Sequence, residues 1–215
     1  MRKVILMGKG DLAIRIARWF HESDEHELEM IVPVVPEPAW TGSLIEWADA
    51  NGVDYIASGS YKDLPKLADP EWRPELVFSV FYDKIIPAWF IDRCDRILNL
   101  HNGPLPRYRG VSPINWALKN GERSHGVTIH EITPGVDDGP IVSQVTYSIF
   151  PEFDEVEDVY ARAREFGWTL FEQTVSLLDR ITPAPQDEER ATFYHSSQND
   201  QLGDRRSFTR VASVG

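Results

Sequence analysis

The stretch "KVILMGKGDLAIRIARWFHES", residues 3–23, restricts the fold more than any other. Residues 4–7 form an apolar run that stops at Gly8 and Gly10. Leu12, Ile14, Ile16, Ala17, Trp19 and Phe20 then recur at helical spacing. A buried strand feeding through a glycine turn into an amphipathic helix is the opening unit of a βαβ layer. The pattern continues along the chain. "LEMIVPVVP" (28–36) reads as a second buried strand, "GSLIEWADANG" (42–52) as a short helix stopped by glycine, and "VDYIA" (53–57) as a third strand. Residues 74–101 read as strand, loop, short helix and a strand ending at His101. Beyond a break, 112–122 reads as a helix, 126–132 and 140–149 as antiparallel strands joined by "TPGVDDG", and 154–178 as a long amphipathic helix. The expected class is α/β, a mainly parallel twisted sheet flanked by helices with an antiparallel extension. Residues 1–182 would form one domain. The polar segment 183–215 would either wrap its surface or be disordered in its last residues.

Composition narrows the function classes. The formal net charge of the 215 residues is −12, so the overall basic excess that phosphate backbones attract is missing and a nucleic-acid partner is not expected. No apolar run approaches the ~20 residues of a membrane span, and the N-terminal apolar run reads as a strand rather than a signal peptide. The single cysteine, Cys94, cannot form an internal disulfide, and a reducing cytoplasm suits it. The remaining histidines (His21, His26, His125, His130 and His195) show no metal-ligand spacing, so no metal is expected. His130 reads as a structural strand histidine.

Three patterns carry chemistry. "GKGDLA" places G-x-G between a strand and a helix but lacks the third glycine and the acidic residue of a dinucleotide site, so it reads first as a tight βα turn. Asp11 would repel an anion at that helix N-terminus. In "ILNLH", Asn99 and His101 are two apart on a strand and point to one face at its carboxyl end. An amide beside an imidazole can stabilise an oxyanion while the imidazole moves protons, although a hydrogen-bonded strand-end pair has the same spacing. In "PGVDDG", Asp137 and Asp138 lie on a loop that is either a plain hairpin turn or a carboxylate delivered to a cleft.

Residues 99–144, "NLHNGPLPRYRGVSPINWALKNGERSHGVTIHEITPGVDDGPIVSQ", resemble the core of the 10-formyltetrahydrofolate-dependent formyltransferases. The matching frame is Asn99, His101, Leu105-Pro106, Gly110, Gly126-Val127-Thr128, and Asp137 with Gly139. Pro104 departs from it, standing where the family has Leu. The resemblance extends loosely over residues 1–180. It implies a Rossmann-like formyltransferase fold with Asn99, His101 and Asp137 as the catalytic residues and 10-formyltetrahydrofolate as co-substrate. The pterin would lie against two loops, Phe81, Tyr82, Asp83, Lys84, Ile85 and Ile86 on one side and Pro134, Gly135, Val136 and Asp138 on the other.

The acceptor side would comprise Gly8, Lys9, Gly10 and Asp11, together with Arg107, Tyr108, Arg109 and Trp116. The helix "SPINWAL" and the strand "GVTIHEI" resemble the sugar N-formyltransferases most, which favours a small nucleotide-linked amino sugar as acceptor. Glycinamide ribonucleotide and methionyl-tRNA are the alternative amines. Outside the transferases, a non-catalytic folate- or nucleotide-binding module and a formyltetrahydrofolate hydrolase are the competing readings. A homodimer is compatible with this sequence.

Overall fold

The computed structural model describes residues 1–203. Its elements in chain order are β1 (Arg2–Gly8), α1 (Gly10–His21), β2 (His26–Pro33), α2 (Leu44–Asn51), β3 (Leu76–Val80), α3 (Ala88–Ile91), β4 (Ile97–His101), β5 (Arg109–Gly110), α4 (Pro113–Lys119), β6 (Ser124–Glu131), β7 (Ile141–Ser148), α5 (Val156–Val175) and β8 (Phe193–Tyr194). Six strands form one sheet in the order β2-β1-β3-β4-β6-β7. β2, β1, β3 and β4 run parallel, and β6 and β7 add the antiparallel extension. This is the α/β architecture that the alternating pattern predicts.

Local signals set the element ends. The side chain of Ser43 accepts from the Glu46 amide at the start of α2, and Gly52 closes it in the left-handed conformation. Glu155 and Asp158 form a reciprocal capping box at the start of α5. One expected strand is absent. Residues 53–57 make a single parallel bridge, Tyr55 to Ile31, because the chain turns away where the Gly59 amide bonds the Ile56 carbonyl (2.8 Å).

Strand parity sorts the core. Leu6, Phe78, Leu98, Leu100 and Ile129 pack on the face covered by α1 and α5, against Ile16, Phe20 and Phe171. Ile5, Met7, Val77 and Ile97 pack on the opposite face, against Tyr61, Ile86 and Phe90. Ser79, Asn99 and His101 continue this second face by the two-residue period, beyond the apolar layer.

The polar segment after Pro183 is fastened to the sheet domain. Ala184 bridges Ile141, and β8 pairs in parallel with β5. Residues 204–215, the site of the expected terminal disorder, lie outside the described residues.

β1 and β3 meet at Gly8, where a Cβ would stand 2.2 Å from the Val80 carbonyl oxygen at a backbone φ of +156°. Only glycine permits that approach. Gly8→Ala should therefore cost about 2–3 kcal/mol by overpacking, read as a lower urea midpoint; an unchanged midpoint would contradict this contact.

Candidate active site

The end of β4, the adjoining strands and two loops bring five polar side chains together. Register supplies the first three. Asn99 lies opposite Ser79 on β3 and opposite His130 on β6, so all three share a sheet face. The Ser79 hydroxyl donates to Asn99 Oδ1 (2.8 Å), which turns the Asn99 amide nitrogen toward His130 Nε2 (3.2 Å) and Asp137 Oδ1 (3.5 Å). His130 Nδ1 donates to the Glu131 carbonyl (2.9 Å), and its Nε2 meets the Asn99 amide nitrogen.

Asp137 completes the group from the loop between β6 and β7. Its Oδ2 lies 3.5 Å from His101 Nδ1 and accepts from the Gly110 amide (2.9 Å); its Oδ1 lies 3.4 Å from His130 Nε2. His101 Nε2 donates to the Tyr108 carbonyl (2.8 Å), so the lone pair of the neutral ring is on Nδ1 and faces the carboxylate. His101 is 7% exposed and Asp137 14%. Three non-glycine residues around the site, Phe81, Tyr108 and Asp137, take left-handed backbone conformations (φ 59°, 64° and 52°), and strain of this kind concentrates at functional sites.

Burial and charge act oppositely on this group. Burial alone would raise the Asp137 carboxyl; the charge that His101 carries when protonated, the His130 contact and the Gly110 amide outweigh it and hold the carboxyl well below the usual carboxylate range. Burial pulls His101 down, and Asp137 opposes this without reversing it. The resting site thus has a neutral imidazole nitrogen facing a carboxylate, two acceptors with room for a proton between them. Such a pair takes up a proton from an arriving group and stabilises the cation that forms.

The structure brings Asn99, His101 and Asp137 together. It also places His130, buried and bonded through both ring nitrogens, in contact with two of them. That contact follows from antiparallel register, which strand-by-strand reading does not supply. His125 does match a structural role: it bonds the Asn102 carbonyl (2.9 Å), and burial first of all takes its pKa down to about 4. Cys94 is buried, and burial pushes its thiol up to about 12, so it is inert.

The two loops expected to hold a pterin flank this centre. Phe81–Ile86 follow β3; the Tyr82 hydroxyl (2.8 Å) and Lys84 Nζ (2.6 Å) both donate to the Gly59 carbonyl, while Asp83 and Ile85 are exposed. Ile86 packs in the core. Pro134, Gly135 and Val136 are exposed, and Asp138 accepts from the Thr133 hydroxyl.

The expected acceptor residues divide. Gly8, Lys9, Gly10 and Asp11 form the β1–α1 turn. The Asp11 carboxylate accepts from the Gly42 amide (3.0 Å) and is paired with Arg164 of α5, which offsets its charge. Asp11 and Arg164 line a cleft of about 920 Å³ with Trp40, Thr41, Asn115, Lys119 and Tyr160. Trp40 is 67% exposed and meets Tyr160 edge to face (5.6 Å between ring centroids); neither stood out in the sequence.

The other four acceptor candidates serve the chain itself. Arg107 pairs with Glu122 (2.9 Å). The Tyr108 hydroxyl donates to Glu122 (2.8 Å), and Trp116 is buried and stacked on Tyr194 (4.4 Å). Arg109 is buried and donates to Gln186 and Glu188. Burial corrects the use of Tyr108, Arg109 and Trp116 as an acceptor wall: these side chains anchor the returning C-terminal segment and α4, while Arg107 stays part-exposed.

Among the described residues no cluster of His, Cys, Asp and Glu has the makings of a metal site, and no helix is long and apolar enough to cross a membrane.

Residues 60–175 match the family model described as formyl transferase. The chain belongs to the formyl transferase family. It is 27% identical over 202 residues to the methionyl-tRNA formyltransferase of Ehrlichia ruminantium, covering 89% of this chain and 65% of that protein. The chain therefore spans just under two thirds of that relative. Among solved structures it resembles an N-formyltransferase from Helicobacter canadensis, crystallised with folinic acid and dTDP-3-aminofucose (TM-score 0.78, 22% identity, 92% of this chain and 72% of that one). It also resembles glycinamide ribonucleotide transformylase 1 from Symbiobacterium toebii (TM-score 0.67, 20% identity, 87% and 95%).

The depressed Asp137 carboxyl predicts a pH-dependent stability difference. A folded-state pKa below the unfolded ~3.9 contributes stability that is fully present above that value and is lost as pH falls through it toward the folded value. Asp137→Asn should be less stable than wild type at pH 5 in urea titrations, with the gap closing below about pH 4. A gap constant from pH 5 to pH 3 would contradict the pairing.

Proposed function

We propose that the protein transfers the formyl group of 10-formyltetrahydrofolate to the primary amine of a nucleotide-linked amino sugar. The observation that carries the transfer chemistry is the open His101–Asp137 pair beside the oriented Asn99 amide, in a chain of the formyl transferase family. An amine arrives largely as an ammonium ion. Asp137 attracts it, and Nδ1 of His101 takes its proton, freeing a lone pair to attack the formyl carbon. The Asn99 hydrogen directed along the long 3.5 Å contact to Asp137 is the donor available to the developing oxyanion. His101, now a cation held by Asp137, passes the proton to the folate nitrogen as its bond to the formyl carbon breaks; the neutral ring then takes the second proton from the former amine nitrogen and releases it to solvent. Exposed Ile85 and Val136 beside this centre supply apolar surface for a pterin ring.

The amino-sugar acceptor rests on the cleft beside the β1–α1 turn. Its exposed Trp40 against Tyr160 suits a flat base or sugar face, and Lys119 and Arg164 suit an anionic linkage. Phe81, the residue after β3, lies 6.0 Å from Tyr160 between ring centroids and links this cleft to the strand beside Asn99. The Helicobacter canadensis protein, crystallised with a nucleotide amino sugar, shares the fold. Methionyl-tRNA is a second reading, favoured by the 27% identical relative and disfavoured by the net charge of −12. The lone buried Cys94 suits a reducing cytoplasm.

The test follows tetrahydrofolate release from 10-formyltetrahydrofolate with dTDP- and UDP-linked amino sugars, glycinamide ribonucleotide, methionyl-tRNA or no amine. Release that depends on an amino-sugar nucleotide is expected. Release with another amine alone overturns the acceptor, release without amine indicates a hydrolase, and no release indicates a binding module. His101→Ala and Asp137→Ala should each lower turnover ~10²–10⁴-fold, the scale of a lost acid–base group, with far-ultraviolet circular dichroism retained. Near-normal rates in either variant would remove that residue from the mechanism.

A further inference from the structure

The catalytic loop is held from outside the segment that matches the family model. Gln186 lies beyond residues 60–175, in the stretch that returns along the sheet domain after the Ala184 bridge to Ile141. Its Nε2 donates to the carbonyls of both Asp137 and Gly139, each at 2.8 Å. An amide nitrogen has two hydrogens, and both are used here. Its Oε1 accepts from Arg109 Nε (3.0 Å) and Nη2 (2.8 Å), and the same guanidinium continues to Glu188 (2.7 Å). The amide cannot turn over, since its oxygen would then face two carbonyls and its nitrogen a guanidinium.

We propose that Gln186 is a positioning residue for the Asp137 carboxylate, fastening the backbone of the catalytic loop to the Arg109–Gly110 strand. Two contacts join the same partners. The Gly110 amide grips the carboxylate (2.9 Å), and Gln186 grips the peptide that bears it. Asp137 sits in a left-handed conformation (φ 52°) on an otherwise exposed loop, so its carboxylate direction depends on that backbone staying in place. Arg109, buried and unavailable to an acceptor, acquires a role: it fixes the orientation of the Gln186 amide. Residues 184–188 are in this account part of the catalytic unit, although they follow the matched domain.

The inference rests on the reading of Asp137 as the partner of His101, so its test needs a signal independent of turnover. The groups facing His101 are Asp137 on the loop, His130 on β6 with ring centroids 6.3 Å away, His125 on β6 and the Tyr108 carbonyl. Of these, Asp137 first and the Tyr108 carbonyl second favour the protonated ring. A displaced Asp137 leaves the Tyr108 carbonyl alone to oppose burial, and His101 then loses its proton at lower pH.

Gln186→Met keeps the chain length, removes both donors and adds no charge. It should move the His101 ring titration, followed by NMR, at least ~0.5 pH unit lower, and move the acid limb of kcat/KM the same way. It should also lower kcat/KM ~10-fold, the scale of one displaced charge-assisted hydrogen bond. The control, Glu189→Gln, removes a charge from the exposed residue just beyond this segment and should match wild type in both measurements. If Gln186→Met does not fold, Gln186→Glu retains an oxygen for Arg109 and should lower kcat/KM equally. An unshifted His101 titration in folded Gln186→Met, or a Gln186→Glu enzyme with wild-type kcat/KM, overturns the role of Gln186. A shifted titration in a protein that never releases tetrahydrofolate would uphold Gln186 as the anchor of Asp137 and overturn the transferase reading alone.

Discussion

A buried carboxylate needs partners, and the Asp137 group is the constraint around which this molecule is arranged. Left alone, the carboxylate would take up a proton or force its loop open; breaking such a pair by removing one partner costs about 3–5 kcal/mol. The structure supplies the Gly110 amide, the Asn99 amide and two imidazoles. Those partners come from three different places in the chain, and each is itself held. Asn99 is oriented by Ser79, His101 by the Tyr108 carbonyl and His130 by the Glu131 carbonyl. The result is a fixed set of donors and acceptors in which the long approach of Asp137 to His101 stays unbonded, and that is where a proton belongs.

The sheet makes this possible by the way its faces are filled. One face is covered along its length by α1 and α5. The other is covered by the apolar layer around Tyr61 and Phe90 only as far as Val77 and Ile97. One residue pair further on, the same face carries Ser79, Asn99, His101 and His130 instead of apolar side chains. The antiparallel turn of β6 against β4 brings the last of these into line. A parallel strand in that place would have needed a long crossover and would have run the opposite way past Asn99.

The sequence made much of this plain and concealed the rest for definable reasons. The alternation of apolar runs and helical spacing revealed the βα order, and the two-residue spacing of Asn99 and His101 put them on one face, because both are local periodicities. The strand expected at 53–57 shrank to one bridge, since a short apolar run cannot show that Gly59 turns the chain away. The contact of His130 with Asn99 was not legible because its partner lies thirty-one residues earlier on another strand. Arg109 and Trp116 read as residues lining the acceptor side. Nothing in the local pattern announces that residues 186–194 come back to bury them, and Gln186 itself carries no motif. The Trp40–Tyr160 pair likewise exists only once α5 is folded against the first turn of α1.

In this mechanism the formyl group lies beside the His101–Asp137 pair with its oxygen toward Asn99. A crystal structure with 5-formyltetrahydrofolate, which carries a formyl group it cannot readily transfer, tests this most directly. The account predicts the formyl oxygen within hydrogen-bond reach of Asn99 Nδ2, about 3 Å, with the pterin between the loops of residues 81–86 and 134–138. A folate bound elsewhere, or one whose formyl group points away from Asn99 and His101, would contradict it.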